Sequence, residues 1–289
     1  MARCYTLAVL SAVMGVFVWL TPVNTFAEEK PLVFGIISNA EPSRIYPKWQ
    51  PFADYLAEKT GRSVKILIPR GFEKLVEAID KGEIDIFYIN SFVYYKLHER
   101  NKAKALAQMQ NLNSSNVSHS VVIVRSDSGV KSLQQLKGEK VAFVSRMGAG
   151  GYLAPRALFY KEGLPTSNAV QEEFTDNLTS SLHKVLLGDV KAASMCGLNY
   201  KLLSEKIDTG ELKIIANSDE YAEDVFGARP DLNAQLQDSL IKAVLSMDQS
   251  PKGLAVIAGM RELKVQKFVK YDSDRTEPLT RRLIEMGKM

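Results

Sequence analysis

Residues 32–37 read Leu-Val-Phe-Gly-Ile-Ile, a short apolar run of the kind that forms a strand buried on both faces. The next fifty residues fix its partners. Trp49 to Lys59 carries Phe52, Tyr55 and Leu56 at helical spacing and stops at Gly61. Val64-Lys-Ile-Leu-Ile68 is a second strand, closed by Pro69. Phe72 to Lys81 is a second helix with Leu75, Val76 and Ile79 on one face, and Ile84-Asp-Ile-Phe-Tyr-Ile89 is a third strand. Strands that alternate with helices need crossover connections, so this opening predicts a mostly parallel sheet.

Further along, the same grammar recurs. His119 to Val124 predicts a strand, Val130 to Leu136 a short helix, and Lys140 to Val144 another strand. The glycine-rich Gly148-Ala-Gly-Gly151 comes next and leads into a helix from about Tyr152 to Glu162. Gln171 to Phe174 reads as a strand, Leu178 to Leu187 as a helix ended by Gly188, and Ala192 to Cys196 and Lys213 to Ala216 as strands around a helix near Tyr200. From Asp231 onward the pattern is helical. No proline- or serine-rich linker separates the two halves, which predicts lobes joined by close chain crossings.

The first 27 residues stand apart. Arg3 supplies a positive start, Leu7 to Leu20 is an apolar run of fourteen residues, and Thr25-Phe26-Ala27 offers small residues at a cleavage site. Fourteen residues are short for a membrane span, so the segment reads as a secretory signal peptide removed before Glu28. Cleavage would remove Cys4 and leave Cys196 without a partner for an internal disulfide. The 37 basic and 33 acidic residues are interspersed, without a basic run, so nucleic acid is not an expected partner. There is no Gly-x-Ser-x-Gly elbow and no His-Glu-x-x-His, and the chain holds only three histidines, so hydrolytic and zinc chemistry have no motif to rest on. No catalytic residue, metal site or cofactor is expected.

Several segments, in order, resemble the phosphonate/phosphite/phosphate-type substrate-binding proteins of ABC transporters. They are Tyr55-Leu-Ala-Glu-Lys-Thr-Gly61, Leu75-Val-Glu-Ala-Ile79 with Gly82-Glu-Ile-Asp85, Ser120 to Arg125 with Asp127-Ser-Gly129, Ser132 to Gly138, and Gly151-Tyr-Leu-Ala-Pro-Arg156. The resemblance implies an α/β fold of the two-lobed type II periplasmic binding class, each lobe a mostly parallel sheet flanked by helices, with hinge crossings and C-terminal helices. It implies residues 28–118 in one lobe, 119–218 in the other, and 219–289 returning to the first. A periplasmic monomer is expected, with an ABC permease as partner or, alternatively, a membrane histidine kinase served by a sensor of arsenic or another oxyanion.

The ligand expected is small and anionic or polar. In open parallel sheets, ligands sit beyond the carboxyl ends of strands, where helix N-termini present unpaired N–H groups. That rule and the resemblance together nominate Phe72, Tyr88, Asn90, Ser91, His119, Met147, Gly148, Ala149, Gly150, Gly151, Tyr152, Thr175, Asn177 and Cys196. Packing roles stand beside the binding roles for several of them: Cys196 ends an apolar strand, His119 caps a hinge strand, Met147 suits a core gap, and Tyr88 is equally a core aromatic. Where the family carries Ser-Thr-Ser, this chain has Gly148, Ala149 and Gly150, and a family histidine position falls on Leu178. Phe72 takes the place of a tyrosine, and Cys196 lies near an acidic family position. The site therefore keeps backbone donors where side-chain hydroxyls are usual. Intact-mass measurement of protein recovered from the periplasm should show residues 1–27 missing; the full-length chain, retained in the inner membrane, would contradict this.

Overall fold

The computed structural model describes Met1 and residues 30–37, 41–164, 169–175 and 177–288. The expected signal peptide and its cleavage site lie outside the described residues. Along the chain come β1 (Leu32–Ile36), α1 (Pro42–Thr60), β2 (Val64–Leu67), α2 (Phe72–Asp80), β3 (Ile86–Ile89), α3 (Ser91–His98) and β4 (Lys104–Asn111). A two-residue strand β5 (Val117–Ser118) leads to β6 (Ser120–Arg125), β7 (Lys140–Phe143), α4 (Ala154–Lys161), β8 (Gln171–Phe174), α5 (Leu178–Leu187), β9 (Ala192–Cys196), α6 (Gly197–Ser204) and β10 (Leu212–Asn217). A second short strand β11 (Tyr221–Ala222) precedes β12 (Val225–Ala228), α7 (Ala234–Leu245), α8 (Pro251–Gly259), β13 (Val265–Val269) and α9 (Ser273–Lys288).

Two helix-flanked sheets result. The first has six strands in the order β13-β4-β12-β3-β1-β2, the second five in the order β10-β6-β9-β7-β8. The parallel pairing expected from the strand–helix grammar covers β2-β1-β3 and β8-β7-β9. The remaining strands join antiparallel, because they arrive through the chain crossings or after helices that do not cross the sheet. The crossings themselves are β5 and β11, paired antiparallel with Tyr221 opposite Ser118.

Local sequence explains most elements. Gly61 adopts φ 70° and donates to Ala57 O, closing α1. That helix begins at Pro42, seven residues before the start predicted from Trp49, and runs through Pro47 and Pro51. Both prolines are exposed, so the carbonyls they leave without an in-helix donor face water. The predicted helix at Val130–Leu136 is a 3-10 turn, Leu133–Leu136, closed by a Ser132/Gln135 capping box. The helix expected from Tyr152 starts at Ala154 and is preceded by a π turn, Ala149–Leu153. Within the C-terminal region read as helical, Val265–Val269 is an edge strand on β4.

The inner strands of each sheet are buried on both faces. The side of the first sheet that faces α1, α7 and α8 holds an aromatic cluster: Phe52 sits 5.7 Å from Phe34, 5.8 Å from Phe226 and 5.5 Å from Phe268, ring centre to ring centre. Phe34 and Phe52 come from the start of the chain and Phe226 and Phe268 from its return, so this core closes only when both segments are present. Val122, Val124, Val141, Phe143 and Phe159 form the equivalent core of the second sheet. Between the lobes, Phe92, Leu153, Leu198, Tyr221 and Leu283 form a further buried cluster. Among the described residues no helix is long and apolar enough to cross a membrane. Phe226 is fully buried, so Phe226→Ala should cost about 3–5 kcal/mol in urea unfolding, lowering the midpoint of a single transition. A loss below about 1 kcal/mol would show that the return strand does not complete the first core.

Candidate functional site

The carboxyl ends of β1, β3, β7 and β9 converge on a cavity of about 650 Å³ between the two sheets. One wall is the π turn after β7. Gly148 O accepts from Tyr152 N at 3.2 Å and Leu153 N at 2.9 Å, which winds the turn wider than an α-helix. Its carbonyls are held from behind: Ser120 Oγ donates to Gly150 O at 2.5 Å and Ser194 Oγ to Gly151 O at 3.1 Å. The amides of Ala149, Gly150 and Gly151 open the turn and find no acceptor among the described residues. They are donors at a positive helix end, the local chemistry that suits an anion. Gly150 is required sterically, since a Cβ there would lie 2.1 Å from the Tyr221 hydroxyl of the chain crossing.

Two further helix ends meet the cavity. Asn90 caps α3, accepting from Val93 N at 2.9 Å, and its Nδ2 donates across the cleft to Met147 O at 3.0 Å. Asn177 caps α5, accepting from Ser180 N at 2.8 Å.

The floor is charged and buried. Lys264 takes a left-handed backbone, φ 68°, at the end of a 3-10 turn, a strained choice for a lysine. Its Nζ sits 3.2 Å from Glu223 Oε2 and 3.9 Å from Cys196 Sγ. Glu223 Oε1 accepts from Asn111 Nδ2 at 2.9 Å and from Ser118 Oγ. Burial opposes the charge on Lys264, but Cys196, Glu223 and Asp224 around it more than offset that and hold its pKa above the ordinary lysine value. The Asp224 pKa is raised as well, which for a carboxyl disfavours the charge: burial raises it, and attraction to Lys264 only partly counters this. Burial also pushes the Tyr88 and Tyr221 hydroxyls well above the usual range, so both remain neutral donors.

At the rim the lobes are tied by ion pairs. Glu262, beside the first sheet, binds Lys48 of α1 and Lys206 beyond α6. Arg261 pairs with Glu205 at 3.6 Å. The two lysines hold the Glu262 carboxyl down at about 2, against an ordinary 4.5.

The structure brings Phe72, Tyr88, Asn90, Gly148, Ala149, Gly150, Gly151, Asn177 and Cys196 to the cavity lining. It does not bring the other nominated residues there. Ser91 Oγ donates to Ala222 O at 2.6 Å, inside the hinge region. His119 is exposed and lies over Gly197. Met147 turns its side chain into the core beside α2 and α3 and gives only its carbonyl to Asn90. Tyr152 donates to Glu172 at 2.8 Å and packs on Phe143. Thr175 Oγ1 is satisfied by Phe143 O, Asn177 O and Ser181 Oγ. For Ser91, Tyr152 and Thr175 a nearby partner satisfies the hydroxyl, and apolar packing claims the Met147 side chain. Sequence reasoning missed Trp49, Tyr221, Asp224, Glu262 and Lys264, all on the lining. One signal was available: Glu223-Asp224 interrupts the apolar Tyr221-Ala-Glu-Asp-Val-Phe226 run, where charges are costly without a partner.

Residues 34–276 match the family model described as ABC transporter, phosphonate, periplasmic substrate-binding protein. The chain belongs to this family. As a member it is similar to the phosphonates-binding periplasmic protein of Escherichia coli (strain K12), 23% identical over 246 residues that cover 82% of this chain and 72% of that one. Its fold is that of PhnD1 from Prochlorococcus marinus (MIT 9301) in complex with methylphosphonate, with TM-score 0.75 at 16% identity over 90% of this chain and 97% of that one. A shorter similarity, 24% identity over 145 residues, covers 49% of this chain and 24% of the tetrathionate sensor histidine kinase TtrS of Salmonella typhimurium. The two-lobed type II periplasmic binding fold predicted from the sequence is therefore the observed one.

Within this binding-protein fold the rim ion pairs are exposed, so their contribution to global stability is at most about 1 kcal/mol. Glu262 has a depressed pKa, so its contribution is present above pH 4.5 and is lost as pH falls toward 2. Lys206→Ala should leave the unfolding midpoint nearly unchanged yet lengthen the distance between spin labels placed one on each lobe. High salt should do the same. An unchanged distance distribution in both cases would show that the rim does not restrain the lobes.

Proposed function

We propose that this family member captures a small anion between its lobes, in the periplasm, after removal of its leader, and delivers it to an ABC permease without altering it. The observation that carries this reading is the row of amides at Ala149, Gly150 and Gly151 that meet no acceptor among the described residues and open onto an inter-lobe cavity. Fixed backbone donors at a helix end bind an oxyanion without reorganising. Asn90 and Asn177 add donors from opposite sides, and closure of two lobes over such a ligand is a hinge motion about β5 and β11. A thiol enzyme is the weaker reading, since His119, the base that Cys196 would need, lies outside the cavity. A sensing role is the second reading, favoured by the half-chain similarity to a sensor kinase; a kinase gene beside this one, in place of permease and ATPase genes, would select it.

Ligand affinity depends on what the turn lacks. Three hydroxyl donors absent at about 1.4 kcal/mol each amount to roughly a thousandfold. Phosphate and methylphosphonate should therefore bind in the high micromolar range or more weakly by titration calorimetry, and submicromolar affinity would show that the backbone alone suffices. Gly151 has open space beyond its Cα, so Gly151→Ala should leave methylphosphonate affinity unchanged. Gly151→Pro removes one amide and should weaken it about tenfold. Equal affinities for the two variants would take the π turn out of the site.

A further inference from the structure

The hydroxyl of Tyr221 stands where a side chain at residue 150 would begin. A Cβ built on Gly150 would lie 2.1 Å from that oxygen and 2.4 Å from Cζ of the ring. A serine at 150 would carry its own hydroxyl one bond beyond that Cβ. The tyrosine oxygen therefore fills the space of a hydroxyl that the glycine turn lacks, and reaches it from the hinge strand β11 instead of from the turn.

That hydroxyl is weakly engaged. Tyr221 is 4% exposed, and the only hydrogen-bond partner its hydroxyl meets among the described residues is the Cys196 sulfur. Thiol sulfur is a weak acceptor. The hydroxyls nearby are committed to protein oxygens: Ser118 donates to Glu223, Ser120 to Gly150 O and Ser194 to Gly151 O. Tyr221, Gly150 and Cys196 all line the cavity, so the tyrosine oxygen sits at its wall beside the amides of the π turn. Rotation about the C–O bond would carry the hydrogen from sulfur to an oxyanion on those amides, with no movement of the ring. The ring itself is held firmly, packed with Phe92, Leu153 and Leu283 and in register opposite Ser118. Burial pushes the hydroxyl well above the ordinary tyrosine range, so it keeps its hydrogen at neutral pH.

We infer that Tyr221 is a ligand-binding residue: its hydroxyl donates to the oxyanion seated on the π-turn amides, in place of the serine side chain that residue 150 has no room to carry. This rests on the reading of those amides as the anion site. It adds a donor that belongs to the chain crossing, so the anion is held from the second lobe and from the hinge together. Gly150 and Tyr221 form a matched pair: a side chain at 150 requires the tyrosine to be gone, and the tyrosine requires glycine.

The test titrates methylphosphonate into the mature protein and its variants by calorimetry, with the ligand-free thermal midpoint as a check on the fold. Tyr221→Phe removes one oxygen and keeps the ring. It should weaken binding about ten- to hundredfold, as the loss of one hydrogen bond to a charged group does, with the midpoint nearly unchanged. Gly150→Ser alone should also weaken binding, because its Cβ meets the tyrosine. Gly150→Ser combined with Tyr221→Ala should bind about tenfold more tightly than Tyr221→Ala alone, since the serine hydroxyl then enters the vacated space. If Tyr221→Phe binds as the unmodified protein does while Gly151→Pro weakens binding, the tyrosine is overturned and the amide site stands. A double variant no tighter than Tyr221→Ala would likewise overturn the exchange of serine for tyrosine. If Tyr221→Phe weakens binding and Gly151→Pro does not, the amide reading fails, and the seat inferred for the anion fails with it. Absence of binding by the unmodified protein at millimolar concentration would overturn both.

Discussion

The fully buried carboxylate of Glu223 is where the fold, the hinge and the cavity meet. One oxygen takes hydrogen bonds from Asn111 at the end of β4 and Ser118 of β5, and the other faces Lys264 ahead of β13. Glu223 itself comes directly after β11. Three stretches far apart in sequence, around residues 111–118, 223 and 264, are thereby fastened at the point where the chain crosses between lobes. Such a pair gains little over an apolar substitute, because desolvation offsets most of the attraction; losing one partner, however, costs about 3–5 kcal/mol. Its value is positional. It fixes both crossing strands in register and holds Lys264 in a left-handed backbone that the local sequence would not choose.

The shape of the binding wall depends on that anchoring. Tyr221 lies one strand-pair from Ser118, and its hydroxyl occupies the space that any side chain at residue 150 would need. The π turn approaches the hinge closely because it is glycine there, and its carbonyls are tied back by Ser120 and Ser194. With Gly150 O turned inward, the Gly151 amide of the same peptide points the opposite way, while the peptide of Gly151 O carries Tyr152 N, which donates to Gly148 O inside the turn. A Ser-Thr-Ser turn would add hydroxyl donors; here the close packing against Tyr221 leaves only backbone. Selectivity then depends on the rest of the lining, where charged, polar and apolar side chains are mixed.

Much of this was legible in the sequence, and the illegible part has physical causes. The strand–helix alternation through residues 32–89 and 119–196 is periodic, and it accounts for both parallel cores. β4, Lys-Ala-Leu-Ala-Gln-Met-Gln-Asn, shows neither alternation nor β-branched residues; neighbours on both sides make it a strand. β13 lies in a run that reads as helical and is decided by pairing with β4. At the site, the glycine-rich turn and the capping asparagines announced themselves, since their roles are local. Lys264, Glu223 and Asp224 did not, because charged residues are read as exposed unless a partner is known, and the partner lies about forty residues away. Ser91, Thr175 and Tyr152 were over-read for the converse reason: each stands near a strand end, yet spends its hydroxyl on a neighbour.

The weakness of the rim bears on how the ligand is held. An exposed triad of Lys48, Glu262 and Lys206 contributes at most about 1 kcal/mol, which shifts an open-to-closed ratio by no more than about fivefold. A latch of that size cannot hold the lobes together against salt, so closure must draw on differential contacts made by the ligand in the closed state. On the function proposed above, the π-turn amides supply such contacts from the second lobe, across a cavity that residues of both lobes line. Asn90 Nδ2 gives one hydrogen to Met147 O and has a second to offer a ligand.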